Sequence, residues 1–463
     1  MKNCALRGIP QTGRMLEMDA FAELAAQFGR DRAAEAVRSA VEAARHAIKA
    51  SPADLPTPTP DALLEDARRA LARDDEPNLK PAVNATGILL HTGLGRAPMP
   101  SAAREAVLRC MGCCNLQMDM GDGSRIPREH AIRDLVCSLT GAEDVALVNN
   151  NAAATLLVLA ALAPGREVVV SRGELIEIGG SFRLPDIMAQ SGAKLREVGT
   201  TNKTHLRDYE QAIGPATALL MKVHKSNYGM VGFTKEVGIA EIAAAGHARG
   251  IAVADDLGCG AMVPLERFGL PHEMTLAESL AAGADLVLAS TDKLIGGPQG
   301  GLVVGKAALV AKVRQHPLYR AFRVCKMTAA ALEATLRLFK SPDTIAQTHP
   351  LYAMLDKPPE AIRAQAEALA ARLRPILAPR AVEVVPHEAF LGGGSVPAEP
   401  IPSFAIAIAS DKADDLARAL RACRVPVCPR IHDSAVYLDM RTVSEAECDL
   451  VAESFREIAG SAS

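Results

Sequence analysis

The chain has 463 residues, more than one hydrophobic core supports, so two or three domains are expected. Its formal net charge of −3 provides no global field that would draw it to nucleic acid or a membrane, so any such binding needs a local patch. The first residues lack the apolar segment of a secretion signal, and no apolar run is long enough to span a bilayer. These features predict a cytoplasmic protein with no membrane partner.

The cysteines number ten and have no regular spacing, which predicts reduced thiols rather than a disulfide framework. A Cys-x-x-Cys pair, Cys110 and Cys113, is followed by Cys114 but has no second half. A zinc site needs about four ligands, so no metal is expected here.

Residues 17–50 carry apolar side chains at three- and four-residue intervals, which predicts two amphipathic helices separated at Gly29. After a proline-rich break, Thr59 and Pro60 suit the N-cap and the first position of a short helix. Residues 1–80 are therefore predicted to form a helical module joined by linkers to a larger domain.

From Val83 onward, strand and helix patterns alternate, which is typical of a parallel sheet flanked by helices. A strand predicted at 144–148 runs into three asparagines, including Asn150 and Asn151, and then three alanines beginning at Ala152. Small polar residues where a strand meets a helix leave N–H groups aimed at one place, which favours phosphate binding. An asparagine N-cap is the simpler alternative, but the run is longer than a cap requires.

Two further strand ends carry ionisable side chains. One buried strand is followed by Asp255 and Asp256, and carboxylates in that position are costly unless they meet a cation. Another ends at Ser290, and Lys293 follows in a turn rich in glycine. A lysine in such permissive backbone suits an amine nucleophile, although a solvated loop lysine beside Asp292 is the alternative.

Ligands of open α/β sheets bind at the carboxyl ends of the strands, where these features converge. A phosphate cradle, a buried acid, a loop lysine and a glycine-rich floor are together what pyridoxal phosphate requires. The lysine would form the Schiff base, the acid would pair with the pyridine nitrogen, and the helix N-terminus would hold the phosphate. The sequence therefore predicts pyridoxal 5'-phosphate as cofactor of a large domain at 81–327.

Three arginines are candidates for binding an anion. Arg96 lies in the glycine-rich segment after His91, where a helix-edge ion pair is the alternative. Arg320 and Arg323 are three residues apart, on one face of a helical turn, and suit an oxyanion unless they form a surface pair. Beyond them, mixed helix and strand patterns predict a smaller α+β domain at 328–463, with a loop at 430–434.

These motifs resemble those of the bacterial selenocysteine synthases, the L-seryl-tRNA(Sec) selenium transferases, over almost the whole chain. The most specific segments lie at 148–154, 170–180, 198–204, 222–228 and 292–299. The resemblance implies an α/β protein of pyridoxal-phosphate fold type I, with a mostly parallel sheet in its large domain, a C-terminal α+β domain and an N-terminal helical module.

The resemblance also implies roles for individual residues. It makes Lys293 the Schiff-base lysine and Asp256 the partner of the ring nitrogen, with Asp255 as the fallback. The residues assigned to the cofactor are Lys293, Asp256, Asn150, Asn151, Ala152 and Ser290. The residues assigned to the reaction, including the arginines that the family places around the selenium donor, are Lys293, Asp292, Arg96, Arg320 and Arg323.

The activity that the resemblance implies is conversion of L-seryl-tRNA(Sec) to L-selenocysteinyl-tRNA(Sec) with selenophosphate. The serine β-hydroxyl would leave to give a dehydroalanyl intermediate, to which selenium would add. The helical module resembles a tRNA-binding domain, and the family builds rings of dimers with active sites between subunits. The expected partners are therefore seryl-tRNA(Sec), selenophosphate and further copies of the chain, with no DNA.

Four positions depart from the family pattern. Gly93 stands where asparagine is usual, Thr291 where glycine is usual and Cys259 where serine is usual, and the stretch 119–125 is an unusual version of its motif. None is the lysine, so they affect the substrate geometry rather than the cofactor. Two other functions stay open: a pyridoxal-phosphate lyase acting on an amino-sugar phosphate, whose relatives tend to lack the helical module, and a non-catalytic tRNA-binding homologue.

Overall fold

A computed structural model describes residues 6–50, 56–180, 182–226, 228–394, 396 and 399–461. Contacts divide the chain into two compact units, Met1–Pro81 and Ala82–Ser463. No helix in the described ranges combines the length and the apolar character that a membrane crossing needs.

The N-terminal unit is helical, as predicted. Gly29, whose φ of 86° favours glycine, separates its two longest predicted helices, and Thr59 caps the next one by accepting the Ala62 N–H at 3.2 Å. Apolar side chains at helical spacing, among them Phe21 and Val41, form the core of this unit. Its helices are α1 (Thr12–Met15), α2 (Asp19–Phe28), α3 (Arg30–Ala50) and α4 (Pro60–Asp74).

The second unit contains a central seven-stranded sheet. Its strands are β3 (Asp144–Val148), β4 (Glu167–Ser171), β7 (Lys194–Val198), β8 (Thr217–Val223), β9 (Ala252–Gly258), β10 (Leu286–Ser290) and β11 (Gly301–Gly305). Two short strands, β1 (Val83–Ala85) and β2 (Ile88–Leu90), precede them in the chain. A separate hairpin of β5 (Glu177–Ile178) and β6 (Phe182–Arg183) lies between β4 and β7 in the sequence. The strand order is β3-β11-β10-β9-β8-β4-β7. Only the two pairings of β11 are antiparallel, so the prediction of a mostly parallel sheet is confirmed.

Helices cover both faces of this sheet, which explains why its strands are apolar throughout. In β10, Leu286 and Leu288 belong to one core cluster, whereas Val287 and Ala289 belong to the other. The helices along this part of the chain are α5 (Ser101–Cys110), α6 (Arg133–Thr140), α7 (Asn151–Leu162), α8 (Leu184–Ser191), α9 (Leu206–Ala212), α10 (Ile239–His247), α11 (Leu276–Ala281), α12 (Ala307–Gln315), α13 (Pro317–Ala321), α14 (Lys326–Leu338), α15 (Ile345–Thr348) and α16 (Pro350–Asp356).

The C-terminal part contains a second sheet of six strands. The remaining elements of the chain are α17 (Pro359–Leu377), β12 (Val382–Gly392), β13 (Pro400–Ala409), α18 (Ala413–Ala422), β14 (Val427–His432), β15 (Ala435–Asp439) and α19 (Glu445–Ser461). The strand order of the second sheet is β1-β14-β15-β13-β12-β2.

Two sequence-based assignments need correction here. The segment that forms β1 and β2 is predicted to belong to the domain at 81–327, but these strands pair in parallel with β14 and β12 of the C-terminal sheet. Residues from Arg430 are predicted to form a loop, yet β14 continues to His432 and pairs with β15. Both errors concern short strands whose partners are distant in sequence, and local patterns carry no information about such pairing.

Candidate functional site

The carboxyl ends of β3, β9 and β10 meet at a cavity of about 840 Å³ in the second unit. This is the edge at which open α/β sheets bind ligands, because the loops that follow the strands diverge there. Its walls include every residue assigned to the cofactor and three of those assigned to the reaction: Asn150, Asn151, Ala152, Asp256, Ser290, Lys293, Arg96 and Asp292.

The asparagine–alanine junction forms the N-terminal end of α7. Asn150 is the N-cap and accepts the Ala153 N–H at 2.8 Å, so the simpler interpretation holds for that side chain. Within the described residues, the N–H groups of Asn151 and Ala152 make no hydrogen bond, although both residues line the cavity. The β11 strand can approach this junction because Gly301 has no side chain: a Cβ there would lie 2.3 Å from the Asn150 carbonyl oxygen.

Asp256 is buried in the cavity wall and receives two side-chain hydrogen bonds. Asn151 Nδ2 donates to one carboxylate oxygen at 2.7 Å, and Thr155 Oγ1 donates to the other at 2.8 Å. Burial raises the pKa of Asp256, while these bonds and the positive charge of Lys293 act in the opposite direction. The carboxylate is thus oriented and partly stabilised, as a group that pairs with a buried cation must be.

The neighbouring carboxylate, Asp255, points away from the cavity. Successive side chains of a strand face opposite sides of the sheet, so only one of the two aspartates can reach the site. Asp255 accepts a hydrogen bond from Ser279 Oγ at 2.6 Å, and burial raises its pKa from 3.8 to about 6. The geometry therefore favours Asp256 over the fallback.

Lys293 lies in the turn after β10 and is only 6% exposed, so it is not a solvated loop residue. Burial lowers the pKa of its ammonium group, with the charge of Arg96 acting in the same direction. Gly258 opens space next to it, since a Cβ at that position would lie 4.0 Å from Lys293 Nζ and 3.2 Å from Ser226 Oγ. A buried amine with a lowered pKa is the state that nucleophilic and proton-transfer chemistry requires.

Arg96 and Asp292 form an ion pair at the cavity. Arg96 Nη1 donates to both carboxylate oxygens, at 2.9 and 2.8 Å, and Ser290 Oγ donates to one of them at 2.8 Å. Arg96 has a φ of 64°, an uncommon conformation for a residue with a side chain. The ion-pair alternative is therefore correct for Arg96, but its partner is Asp292 beside the buried lysine rather than a helix edge.

Arg320 and Arg323 do not line the cavity of their own chain. Arg320 lies at the end of α13 and Arg323 shortly after it, and both are exposed. Neither forms an ion pair with another residue in the described part of the chain. The structure thus separates these two arginines from the other assigned residues.

A further set of side chains was not predicted from the sequence. His224 lines the cavity just after β8; its Nδ1 accepts the Ser226 N–H at 3.1 Å and its Nε2 lies 3.3 Å from buried Glu273. Cys259 Sγ donates to the same Glu273 oxygen at 3.0 Å. The only signal in the sequence was the position of His224 at the end of a strand in the same sheet.

Comparison with known proteins agrees with this architecture. The family model described as "L-seryl-tRNA selenium transferase" matches residues 82–444, and the model "Selenocysteine synthase N terminal" matches residues 6–45. The chain belongs to the L-seryl-tRNA selenium transferase family. The resemblance inferred from the sequence motifs is thereby confirmed.

Individual members of the family match along most of their length. The L-seryl-tRNA(Sec) selenium transferase of Serratia proteamaculans is 45% identical over 452 residues, 95% of this chain and 96% of that protein. That of Solidesulfovibrio magneticus is 48% identical over 390 residues, 83% of each.

Among solved structures, a D-glucosaminate-6-phosphate ammonia-lyase has a TM-score of 0.58 and 21% identity, covering 83% of this chain and 97% of that one. A likeness at this identity shows the fold alone, and the fold is pyridoxal-phosphate fold type I, as predicted.

Proposed function

We propose that this family member converts L-seryl-tRNA(Sec) to L-selenocysteinyl-tRNA(Sec), with pyridoxal 5'-phosphate as cofactor and selenophosphate as selenium donor. The observation that carries the proposal is the convergence of Lys293 and Asp256 on one cavity, in a chain whose relatives bear this activity in their names. The substrate assignment rests on the relatives, and the chemical assignment rests on the cavity.

The cavity residues fit the cofactor. Asn151 Oδ1 is buried without a hydrogen-bond partner in the described part of the chain, so a ligand with a donor group would satisfy it. The first turn of α7 offers N–H groups for a phosphate, Asp256 a carboxylate for the pyridine nitrogen, and Lys293 an amine for the aldehyde. When bound, pyridoxal phosphate supplies an electron sink for charge that develops at the α-carbon of an amino acid.

Side chains of the protein would then transfer the protons and stabilise the charges of the reaction. Lys293, whose pKa is lowered by burial, would take the α-proton of the seryl group and later return a proton to that carbon. The serine β-hydroxyl leaves as water, selenium adds to the β-carbon, and water cleaves the phosphorus–selenium bond to release phosphate. Asp292 would hold Arg96 beside Lys293, where the guanidinium charge of Arg96 can face the anionic donor.

We further propose that the unit at 1–81 binds the tRNA, since residues 6–45 match a selenocysteine synthase N-terminal model. Arg320 and Arg323 are exposed and lie outside their own cavity, which supports a site completed by a second copy of the chain. A ring of dimers with active sites between subunits would bring such residues together, and sedimentation of the purified protein tests for that assembly.

The experiment that tests the cofactor is the visible absorbance of the purified protein with added pyridoxal phosphate. Wild type should show the band of a lysine-bound cofactor, and Lys293→Ala should lose it while keeping the far-ultraviolet circular dichroism of the folded chain. Lys306→Ala, which removes a half-exposed lysine paired with Asp285, is the matched control and should keep the band. A band that persists in Lys293→Ala would contradict the assignment.

Turnover tests the substrate. Full-length protein should convert seryl-tRNA(Sec) with selenophosphate, and a chain beginning at Ala82 should keep the absorbance band but lose tRNA binding. Release of ammonia from an amino-sugar phosphate, without selenium transfer, would instead identify the lyase activity. Undiminished tRNA binding by the shortened chain would show that the helical unit has another role.

A further inference from the structure

A second cavity lies next to the catalytic one in the same unit. It has a volume of about 500 Å³ and shares Arg96 and Ala97 with the catalytic cavity. The proposed reaction uses none of its other residues. A cavity of this size accommodates a small-molecule group about as large as a nucleotide.

Two cations in its wall have no carboxylate partner in the described residues. Arg441 is 3% exposed; its Nη1 donates to the Met354 carbonyl oxygen at 2.6 Å, and its Nη2 donates to the Pro402 carbonyl. Its Nε is buried and has no hydrogen-bond partner in the described part of the chain. Lys357 is half-buried, and its Nζ donates to the amide oxygen of Gln365.

Three carboxylates lie near these cations without forming an ion pair with either, and one of them, Glu445, is exposed. Glu447, in the cavity wall, accepts both the N–H and the O–H of Ser444, at 2.8 and 2.7 Å. Asp439 lies beside the Arg441 backbone and binds Ser403 and His387. Carbonyl and amide oxygens do not neutralise a cation, and Asp439 and Glu445 act on these cations without contacting their charged groups. Arg441 and Lys357 can therefore still bind an anion. Burial lowers the pKa of Lys357, and an anion nearby would favour its charged form.

Much of the remaining wall is apolar, although Asn84, Thr442 and Ser444 add neutral polar groups. The apolar residues include Leu89, Leu94, Pro350, Met354 and Val443. An anionic group joined to a flat, weakly polar body matches this combination better than a free inorganic ion, which would leave the apolar surface exposed to water.

We propose that this second cavity binds the phosphate-bearing terminal nucleoside of the acylated RNA, with the phosphate at Lys357 and Arg441. The seryl ester would then enter the catalytic cavity past Arg96, which lines both cavities. This inference rests on the proposed function, since it places one end of that substrate.

The test is Lys357→Met, with Lys340→Met as control because Lys340 is exposed and lines neither cavity. Binding of tRNA(Sec) is measured with the intact RNA and with RNA lacking its 3'-terminal adenosine. Wild type should bind the shortened RNA about tenfold more weakly, as loss of a charge-assisted contact implies. Lys357→Met should bind intact RNA about tenfold more weakly than wild type, and removal of the adenosine should lower its affinity little further. Lys357→Arg should restore the wild-type affinity.

The remaining outcomes separate the two proposals. If wild type turns over but Lys357→Met and Lys340→Met bind the intact and the shortened RNA with equal affinities, the second-cavity inference alone is overturned. Absence of turnover in wild type would overturn the proposed function and the RNA-end assignment with it. Adenosine monophosphate should compete with the RNA in wild type and not in Lys357→Met. Equal competition by inorganic phosphate would show a free-anion site and would contradict the nucleoside assignment.

Discussion

Replacing Asp255 by asparagine should change how stability depends on pH. The carboxyl group is 2% exposed, and its pKa rises from 3.8 to about 6 on folding because burial disfavours its ionised form. A shift of about 2 units at about 1.36 kcal/mol each corresponds to about 3 kcal/mol. Since the folded-state pKa is the higher one, this cost is absent below about pH 4, develops between about pH 4 and pH 6, and is constant above.

Asparagine cannot ionise, so the stability of Asp255→Asn should not decrease between about pH 4 and pH 6 for this reason. Relative to wild type, its free energy of unfolding should increase by about 3 kcal/mol between about pH 4 and pH 7, as measured by urea unfolding at several pH values. The new side-chain amide would keep an oxygen that can accept the Ser279 hydroxyl, which limits the structural change. The cofactor absorbance should be unaffected, because Asp255 faces away from the cavity.

The matched control is Asp449→Asn, which removes a carboxylate that is 73% exposed and paired with Arg372 at 2.7 Å. A surface pair contributes little, so its unfolding free energy should run nearly parallel to that of wild type across this pH range. If Asp255→Asn also ran parallel to wild type, the carboxyl group would have an ordinary pKa and the burial argument would be refuted. Loss of the cofactor band in Asp255→Asn would return this residue to the catalytic site.

Two further substitutions test the cofactor cavity. Thr155→Val removes one of the two hydrogen bonds to Asp256 and raises the pKa of that carboxyl group further, so it should weaken cofactor binding at least about tenfold in an absorbance titration. Thr155→Ser keeps the hydroxyl and should keep the wild-type affinity. Equal affinities of wild type and both variants would show that the hydroxyl does not matter. Gly258→Ala places a Cβ 3.2 Å from Ser226 Oγ at a φ of 63°, which should cost about 1–3 kcal/mol of stability in calorimetry and lower cofactor affinity, and an unchanged melting temperature would contradict the strain.

Much of this site could be predicted because its residues follow buried strands. A continuous apolar run marks each strand of a doubly covered sheet, and the residues after it must lie at the ligand-binding edge. That reasoning correctly placed Lys293 after β10, but it placed both aspartates after the preceding strand, whereas β9 contains them. It could not decide between Asp255 and Asp256, because the choice depends on where the strand ends, and β9 continues to Gly258.

The interactions between side chains distant in sequence were beyond such reasoning. His224, Cys259 and Glu273 lie in three different loops, and each separately resembles an ordinary polar or small residue. Their contact also explains the departure at Cys259. A thiol can donate a hydrogen bond to Glu273 as a serine hydroxyl would, so the substitution preserves the donor and weakens the bond.

The pairing of Arg96 bears on how the anionic donor would be bound. An oxyanion that displaced Asp292 from Arg96 would leave a buried carboxylate without its cation, which costs several kcal/mol. Arg320 and Arg323 are exposed and form no ion pair in the described part of the chain, so their charges would be available without that cost. Under the proposed function, the electrostatics therefore assign to the exposed pair most of the binding of the donor. Arg96 would mainly hold Asp292 beside Lys293, and a site built in this way would need the second copy of the chain before it could bind selenophosphate.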